Sequence, residues 1–439
     1  MESGENAQDG GEPPVAEFQL EEDQELRFEV PPAQAKGQAN EVLLELLDGT
    51  AEIFGAELVK HKRYRLEAGS RIGLFSWHGC RVEVVGRTES PYVAKASPML
   101  IYLNTHGALE QKRQEAEAQA VSNSEVRGPR LMIAGPTDVG KSTYCKILVN
   151  YALRQGRSPI CVDLDVGQNG VSLPGTISAM FVERPGDPVA GLEKKAPLVY
   201  NFGHLSPGGN IPHFELLMRE LADSVNQKCK AVKEANFGGV IINTCGWVKG
   251  DGYSCLVAAA EAFEVDVVVV LDHERLYNEL QRDLPNCVRI CHQPKSGGVE
   301  TRSQNQRKAS RQKKVKEYFY GSSQMPLHPF RFEVSFDEVN MWKVGGEALP
   351  ESCLPLGQKP EDHRTKVVPV LPSPALLNHV LGVSFAEPTD EALGVTNAAG
   401  FVVVLGVDME QRQLTLLSPQ PHPLPSSCLS FSNLTFEDD

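Results

Sequence analysis

The sequence predicts a multidomain α/β protein in which a central parallel sheet covered by helices is flanked by an N-terminal β-sandwich and a mainly β C-terminal domain. Three observations support this prediction. The chain has 439 residues, more than one ordinary domain contains. Strand and helix patterns alternate in residues 129–325, as in a parallel sheet. Short apolar runs separated by turn residues are typical of the segments on either side.

Composition and charge argue against several classes of protein. The hydrophobic content of 41% and the charged content of 23% are those of a globular chain, not of a disordered chain, a fibre or a coiled-coil rod. No apolar run approaches the roughly 18–20 residues that a membrane-spanning helix needs, and the acidic start does not resemble a secretory signal. The net charge of −14 disfavours non-specific binding to nucleic acid. We therefore expect no membrane association, and a local site for any polyanion.

The cysteines indicate a reducing compartment. Ten of them are scattered along the chain without regular pairing, unlike the pattern of a disulfide scaffold. One cluster, Cys287, Cys291 and His292, has the residue types of a metal site. It lacks a second ligand pair at zinc-finger spacing, so we expect these side chains to lie in a buried core.

The N-terminal part of the chain divides into three segments. Residues 1–17 are rich in Gly, Glu, Asp and Pro, which predicts a disordered acidic tail. Residues 18–107 contain short apolar runs punctuated by glycines, which predicts an N-terminal β domain. Residues 108–128 begin with strong helix formers of mixed charge, which predicts a solvated linker helix.

The remaining chain divides into two domains. In residues 129–325, runs such as Leu131–Ala134, Val240–Asn243 and Val265–Leu271 are apolar throughout, as strands buried on both faces of a parallel sheet are. Residues 326–439 have few helical patterns and several strand-like runs among proline-rich loops. We expect this last segment to form a mainly β domain.

A glycine-rich segment directly follows the first of these strands. Residues 135–143, Gly-Pro-Thr-Asp-Val-Gly-Lys-Ser-Thr, fit the pattern G-x-x-x-x-G-K-[ST], and a predicted helix over Ser142–Arg154 completes the context of a P-loop NTPase. The backbone N–H groups of such a loop and the helix N-terminus both favour phosphate. We expect Lys141 to reach the β- and γ-phosphates of a nucleotide, and the Ser142 hydroxyl to bind Mg²⁺. The predicted nucleotide contacts are Asp138, Val139, Gly140, Lys141, Ser142 and Thr143.

The segment after the strand Val240–Asn243 bears on the choice of base. Guanine-specific proteins usually carry an Asn-Lys-x-Asp loop after a strand, but the segment here is Thr244–Trp247. ATP is therefore favoured over GTP. Trp247 has two interpretations: it is either an exposed platform on which a nucleic-acid base stacks, or an ordinary buried core residue.

Two carboxylates follow the strand after the P-loop helix. Asp163 and Asp165 are expected at the carboxyl edge of the parallel sheet, where ligands bind. Asp165 is nearer to the P-loop, and its carboxylate can hold Mg²⁺ through water or act as a general base toward an acceptor hydroxyl. We expect Asp163 to cap a turn. Asp272, from a later strand, is a rival to Asp165.

A basic run covers residues 300–316, where seven basic side chains and one acidic one give a net charge of +6. Arg307 and Arg311 are four residues apart, so they share one face of the predicted helix. Positioned arginines can stabilise a phosphoryl group in transfer. A solvated basic helix and a nuclear-import patch are equally consistent with this composition.

Five segments together match the pattern of a known family. They are Gly135–Thr143, Asp165–Gln168, Asn243–Gly250, Lys295–Gly298 and Cys353–Gly357. From about Phe18 into the C-terminal domain the chain closely resembles the Clp-type RNA kinases, the polyribonucleotide 5′-hydroxyl kinases of the eukaryotic pre-mRNA cleavage complex II. The resemblance implies a three-domain protein that uses ATP to phosphorylate 5′-hydroxyl ends of RNA. It also implies a nuclear location, association with mRNA cleavage and polyadenylation factor subunits, and association with the tRNA-splicing endonuclease.

The resemblance assigns catalytic roles to four residues. It implies that Lys141 stabilises the moving phosphoryl group and that Asp165 is the base for the RNA 5′-hydroxyl. It also implies that Arg302 and Arg307 are lid arginines that cover the phosphates.

Binding roles follow from the same resemblance. The residues implied to bind the RNA end are Trp247, Gln168 and Thr244. Glu25 and Arg71 occupy the positions that contact adenine in the family. The second of these positions is commonly Lys, and Arg71 keeps the charge but changes the contact geometry.

Three functional hypotheses remain. The retained Lys141, Asp165, Trp247 and lid arginines favour an active polynucleotide 5′-hydroxyl kinase. The alternative is an ATP-bound, non-catalytic scaffold subunit of the mRNA 3′-end processing complex. A GTPase switch or a metal-partner ATPase is disfavoured because the guanine-specific loop is absent from the sequence.

Overall fold

Two facing sheets form the N-terminal domain in the computed structural model, which describes residues 13–32, 41–122, 125–322, 325–346, 363–387 and 392–437. The sheets have the strand orders β1-β8-β3-β6 and β5-β4-β7-β2-β9, so the predicted β-sandwich is confirmed. The strands are β1 (Val15–Leu20), β2 (Gln24–Glu29), β3 (Val42–Gly49), β4 (Glu52–Ile53), β5 (Ala56–Glu57), β6 (Arg63–Leu66), β7 (Arg71–Ser76), β8 (Cys80–Val85) and β9 (Glu89–Ala94).

Alternation of buried and exposed side chains produces this sandwich. Leu44 and Leu46 on β3 and Val82 on β8 are fully buried between the sheets, and their neighbours along each strand are more exposed, as expected for strands with one face in a core. The predicted tail over residues 1–17 needs correction at its end, because Val15–Glu17 belong to β1 and pair with β8. Residues 1–12 lie outside the described part.

The predicted linker helix is longer and more buried than its composition indicates. Helix α1 (Met99–Gln119) begins nine residues before the predicted start. Tyr102 and Leu109 are buried in the core of the central domain, and the buried Arg113 donates to the carbonyl oxygen of Gly238 at 3.0 Å. Glu110 pairs with Arg113 and Arg157. The prediction of a solvated helix was wrong because charged residues in a sequence indicate a solvent-exposed surface. Here several of these side chains are buried and stabilised by partners of opposite charge.

The central domain is built on a seven-stranded sheet with the order β13-β12-β11-β14-β10-β15-β16. Strands β11, β14, β10, β15 and β16 pair in parallel, whereas β12 pairs antiparallel with both β11 and β13, so the predicted parallel sheet is in fact mixed. The strands are β10 (Arg130–Ala134), β11 (Ile160–Asp163), β12 (Thr176–Phe181), β13 (Leu198–Asn201), β14 (Val240–Asn243), β15 (Val267–Leu271) and β16 (Arg289–Gln293). The helices are α2 (Lys141–Arg154), α3 (Ile211–Ala231), α4 (Lys233–Gly238), α5 (Asp251–Ala262), α6 (Glu274–Asp283) and α7 (Gln304–Tyr320).

Strand order determines where the site lies. Strands β11 and β15 lie on either side of the β14–β10 pair, so the segments after β10, β11 and β14 meet at one carboxyl edge of the sheet. That edge is where ligands bind in open α/β sheets. A hydrophobic core lies beneath it, with Met132, Val162 and Ile242 buried.

A fourth sheet forms the mainly β C-terminal domain, as predicted. Its order is β17-β22-β21-β20-β23-β18-β19, and all neighbouring strands are antiparallel except β18 and β23. The strands are β17 (Phe330–Ser335), β18 (Asn340–Val344), β19 (Val367–Pro369), β20 (His379–Ser384), β21 (Ala398–Asp408), β22 (Gln413–Ser418) and β23 (Cys428–Thr435). Phe319 of α7 packs with Phe401 and Phe436, so the last central helix is anchored on this domain.

The cluster of Cys287, Cys291 and His292 does not lie in a buried core, contrary to the prediction from the sequence. Cys287 and Cys291 are both exposed, because β16 is the edge strand of the central sheet. Among the described residues there is no group of three or more side chains suited to hold a metal ion. In the same part of the chain, no helix combines the length and apolarity that a membrane crossing requires.

Candidate nucleotide and RNA-end site

The phosphate loop, Gly135–Thr143, connects β10 to α2 and turns sharply at its end. Gly140 has a φ of +89° and is the N-cap of α2, a conformation that favours glycine. Gly246, in the loop after β14, packs so closely that a Cβ there would lie 2.6 Å from the Thr137 nitrogen. These two glycines allow the backbone to form a tight cradle at the positive end of a helix.

Lys141 lies inside this cradle. Its side chain is buried, and Nζ donates to the carbonyl oxygens of Gly135 and Pro136 at 2.9 and 2.7 Å. Burial lowers the pKa of Lys141, and the nearby charge of Asp165 opposes that effect. A lysine held in this way brings a concentrated positive charge to the phosphate loop.

Asp138 joins the phosphate loop to the basic segment. Its carboxylate accepts hydrogen bonds from Arg302 Nε at 3.0 Å and Arg307 Nη2 at 2.6 Å, and also from the Arg302 backbone N–H. Burial raises the pKa of Asp138, but these hydrogen bonds outweigh it and leave the pKa below its usual value. The structure thus brings both predicted lid arginines over the phosphate loop, with Asp138 as their anchor.

The two aspartates after β11 have different surroundings. Asp163 is buried and accepts hydrogen bonds from the backbone N–H groups of Asp165 and Gly170 and from Asn243 Nδ2. Burial, and then the charge of Asp165, raises the pKa of Asp163 to about 6. The position of Asp163 agrees with the predicted turn-capping role.

Asp165 faces the cavity. Its Oδ1 accepts from the backbone N–H groups of Gly167 and Gln168 at 3.0 and 3.1 Å, and among the described residues its Oδ2 has no hydrogen-bond partner. The rival, Asp272, lies 3.6 Å from Lys295 Nζ and does not line the cavity. Asp165 is therefore the carboxylate that the structure places beside the phosphate loop.

Trp247 is neither a core residue nor a freely exposed one. Its half-buried indole lines the cavity and packs against Gly208 and Gly252. A Cβ at Gly252 would approach the indole Cγ to 2.5 Å, so a small residue is required there. Packing against these two glycines thus holds the indole in place, while another part of the ring faces the cavity, as a stacking platform requires.

The other two predicted RNA contacts differ from each other. Gln168 lines the cavity, and its Nε2 donates to the Arg307 carbonyl oxygen at 3.4 Å. Thr244 is buried, and its hydroxyl donates to the Ile133 carbonyl oxygen at 2.8 Å. Thr244 therefore supports the sheet, and the prediction that it contacts RNA is corrected.

The wall of the cavity on the N-terminal side includes Glu25, Arg71 and Tyr102. Glu25 accepts from Arg27 and Ser97. Arg71 lies 3.1 Å from both Glu29 and Glu300, so it joins the N-terminal sheet to the segment before α7. The two predicted adenine contacts therefore reach the cavity, although each already has a partner of opposite charge.

All of these elements surround one cavity of about 900 Å³, which is in the range of known ligand sites. The sequence reasoning missed Tyr102 and Lys314, which also line it. Lys314 follows Arg307 by seven residues, so helical spacing could have identified it. Tyr102 gives no such indication, because only the packing of α1 brings it to the cavity.

Three family models match consecutive parts of the chain. They are described as the N-terminal β-sandwich domain of polyadenylation factor, over residues 19–116, the mRNA cleavage and polyadenylation factor CLP1 P-loop, over 135–321, and the pre-mRNA cleavage complex II protein Clp1, over 327–438. The domain boundaries predicted from the sequence stay a prediction at residue level.

Curated relatives are similar over their whole length. A protein CLP1 homolog of Brugia malayi is 57% identical, covering 100% of this chain and 99% of the relative. The polyribonucleotide 5′-hydroxyl-kinase Clp1 of Homo sapiens is 52% identical, covering 99% of each chain. The family resemblance carried by the sequence motifs is thereby confirmed.

Solved structures share the fold at lower identity. A Clp1p chain from a Clp1p–Pcf11p complex superposes with a TM-score of 0.81 at 21% identity, covering 98% of this chain and all of that one. A second structure, described by an extended Pcf11p–Clp1p interface and by ATP loss in a point mutant, gives 0.82 at 22% identity, covering 97% of this chain and all of that one. The three-domain architecture is common to both.

Proposed function

Because the chain belongs to the Clp1 family, we propose that it is a polynucleotide 5′-hydroxyl kinase that transfers the γ-phosphoryl group of ATP to the 5′-hydroxyl end of RNA. One observation carries this proposal: the phosphate loop, Asp165, Trp247 and the two lid arginines all face a single cavity. Relatives that are 52% identical bear the name polyribonucleotide 5′-hydroxyl kinase, which supports the same activity here.

The phosphate loop binds the triphosphate in this proposal. The backbone N–H groups and the N-terminus of α2 favour the negative charge of phosphates. Lys141 exchanges its contacts with Gly135 and Pro136 for phosphate oxygens. Arg302 and Arg307 each give Asp138 one side-chain N–H from five available donors, so N–H groups remain to stabilise charge on the transferring phosphoryl group.

The Mg²⁺ ion that such a transfer requires fits the donor set of this cavity. The Ser142 hydroxyl is exposed to the cavity at the start of α2, and the carboxylate of Asp165, which could hold the ion through water, lines the same cavity. Both present the oxygen atoms that Mg²⁺ prefers. Held there, the ion would neutralise part of the negative charge of the nucleotide's phosphates.

Asp165 accepts the proton of the attacking hydroxyl. The two backbone N–H groups on Oδ1 fix the carboxylate and leave Oδ2 for the 5′-hydroxyl. As the hydroxyl oxygen bonds to the γ-phosphorus, its proton passes to Oδ2 and ADP leaves with the electrons of the broken bond. Trp247 stacks on the terminal base, and Gln168, which lines the same cavity and donates to the Arg307 carbonyl oxygen, contacts the RNA end.

We also propose the cellular setting that the family suggests. The descriptions of the matching families refer to mRNA cleavage and polyadenylation and to the pre-mRNA cleavage complex II, and the similar structures are described with Pcf11p. By analogy, this chain works in the nucleus with subunits of the mRNA 3′-end cleavage and polyadenylation machinery. Association with the tRNA-splicing endonuclease belongs to the same proposal.

The proposal is tested by incubating the purified chain with γ-labelled ATP, Mg²⁺ and a 5′-hydroxyl oligoribonucleotide. We expect label at the 5′ end, one ADP for each labelled end, and no label on the same RNA carrying a 5′-phosphate. Tightly held ATP with no labelled RNA would contradict kinase activity and support the non-catalytic scaffold. Faster labelling with GTP than with ATP would contradict the choice of donor.

A further inference from the structure

One face of α7 looks into the cavity. Arg307, Arg311 and Lys314 follow each other at spacings of four and three residues, and all three line the cavity. Side chains at these spacings lie on one face of a helix. Lys314 has no part in the proposed phosphoryl transfer, although this residue lies two helical turns from the lid arginine Arg307.

Lys314 makes its contacts with a single turn of the chain. Its Nζ donates to the carbonyl oxygens of Gln168 and Asn169 at 2.8 and 2.7 Å. Both carbonyls belong to the turn of residues 165–170, which carries the proposed base, Asp165, at its start. A charged donor makes stronger hydrogen bonds than a neutral one, so this contact is a firm link between α7 and the turn.

The turn is also held from the sheet. Asp163 accepts from the backbone N–H groups at both ends of the turn, those of Asp165 at 3.0 Å and Gly170 at 2.7 Å. Asn243 at the end of β14 donates to the same carboxylate. Thus Asp163 holds the two ends of the turn through their N–H groups, and Lys314 holds the carbonyl oxygens of Gln168 and Asn169 within it.

The charges around Lys314 suit this role. Burial lowers the pKa of Lys314, the carboxylates of Asp163 and Asp165 oppose that effect, and Lys194 adds to it. An ammonium group beside these two carboxylates adds electrostatic attraction to the hydrogen bonds with the turn.

We infer that Lys314 is a positioning residue that ties the placement of Asp165 to the seating of α7 over the phosphate loop. This inference rests on the proposed kinase function. The lid arginines and Lys314 belong to one continuous segment, residues 302–314, so one movement of that segment both covers the phosphates and orders the base. Misplacing a catalytic group by about 1 Å can cost about 100-fold in rate.

The test compares Lys314→Met with Lys313→Met in the full-length chain. Lys313 is its neighbour on the same helix, but it is exposed and pairs with Glu67 and Glu317 outside the cavity. Lys314→Arg retains a charged donor. Steady-state kinetics give kcat and KM for ATP and RNA, and hydrogen exchange followed by mass spectrometry reports on residues 163–170 without any need for catalysis.

We expect Lys314→Met to lower kcat by about 10- to 100-fold and to change KM for ATP by less than about twofold. Exchange in residues 163–170 should become about fivefold faster. Lys313→Met should match the unsubstituted chain in both assays, and Lys314→Arg should recover part of the lost kcat.

Two results would overturn the inference: unchanged exchange in residues 163–170 of Lys314→Met, or a loss confined to KM for ATP, which would make Lys314 a nucleotide contact. If the unsubstituted chain transfers no phosphate, the proposed function fails. The exchange experiment then still decides whether Lys314 orders the turn.

Discussion

The phosphate loop and the N-terminal wall of the cavity are built in different ways. The loop is one continuous segment, Gly135–Thr143, in which Lys141, the first residue of α2, is buried. The wall brings together Glu25 from β2, Arg71 from β7 and Tyr102 from α1, and Arg71 is 36% exposed. In the proposed mechanism the loop acts on the reacting phosphorus, whereas the wall contributes to binding. Substitutions in the first should change kcat, and those in the second should change KM.

The largest effect is expected at Lys141. Lys141→Met keeps the length of the side chain but removes the charge from the phosphate loop, and kcat should fall by about 10³-fold. The measurement is the initial rate of label transfer at saturating ATP and RNA. Lys146→Met, on the same helix but outside the cavity lining, is the control and should keep a rate near that of the unsubstituted chain. Equal rates for both variants would remove Lys141 from the mechanism.

A smaller loss is expected when the base is removed. Asp165→Asn keeps the shape of the side chain but cannot accept the proton, so kcat should fall by about 10²- to 10³-fold. The measurements are the rate of phosphoryl transfer and the affinity for ATP, and we expect the affinity to be unchanged. Asp272→Asn provides the matched control. If Asp272→Asn lost activity and Asp165→Asn kept it, the assignment of the base would be reversed.

Trp247 should affect the binding of RNA more than the chemical step. Stacking on an aromatic ring contributes about 1–3 kcal/mol for each base, so Trp247→Ala should raise KM for RNA by about 5- to 100-fold. Trp247→Phe keeps a smaller aromatic face and should recover part of this binding. A rise in KM for ATP, with KM for RNA unchanged, would show that the indole belongs to the nucleotide side of the cavity.

The smallest effect is expected on the N-terminal wall. Arg71 is partly exposed and already pairs with Glu29 and Glu300, and exposed ion pairs contribute little, about 0–1 kcal/mol. Arg71→Ala should therefore raise KM for ATP by about fivefold or less, with kcat unchanged. Arg71→Lys should lie near the unsubstituted chain. A large loss of kcat in Arg71→Ala would mean that the wall takes part in the reaction.

How well the sequence predicted each part depends on whether the determinants are local. The phosphate loop and the strand and helix around it were predicted because one short segment specifies all three. The role of Asp163 as a turn cap also followed from its neighbours. The sequence could not show that the Thr244 hydroxyl donates to the Ile133 carbonyl oxygen. The direction in which a side chain points at the end of a strand cannot be predicted from the sequence around it.

Long-range packing explains the other differences. Helix α1 was predicted as solvated, because the partners that bury its charged side chains are distant in the sequence. Arg113 donates to the Gly238 carbonyl oxygen, and Glu110 pairs with Arg157. Asp138 was predicted only as a nucleotide contact. Its hydrogen bonds with Arg302 and Arg307 join residues more than 160 positions apart, and the sequence around Asp138 gives no indication of them. The roles of the individual site residues stay predictions until the substitutions above are measured.

The central claim is that one cavity holds a triphosphate and an RNA end with the 5′-hydroxyl aimed at the γ-phosphorus. A crystal structure with a non-hydrolysable ATP analogue and a short 5′-hydroxyl RNA tests it most directly. We predict the analogue's triphosphate in the phosphate loop, the terminal base on Trp247, and the 5′-oxygen within hydrogen-bond distance of Asp165. An RNA end bound outside the cavity, or kept from the γ-phosphorus by α7, would contradict the claim.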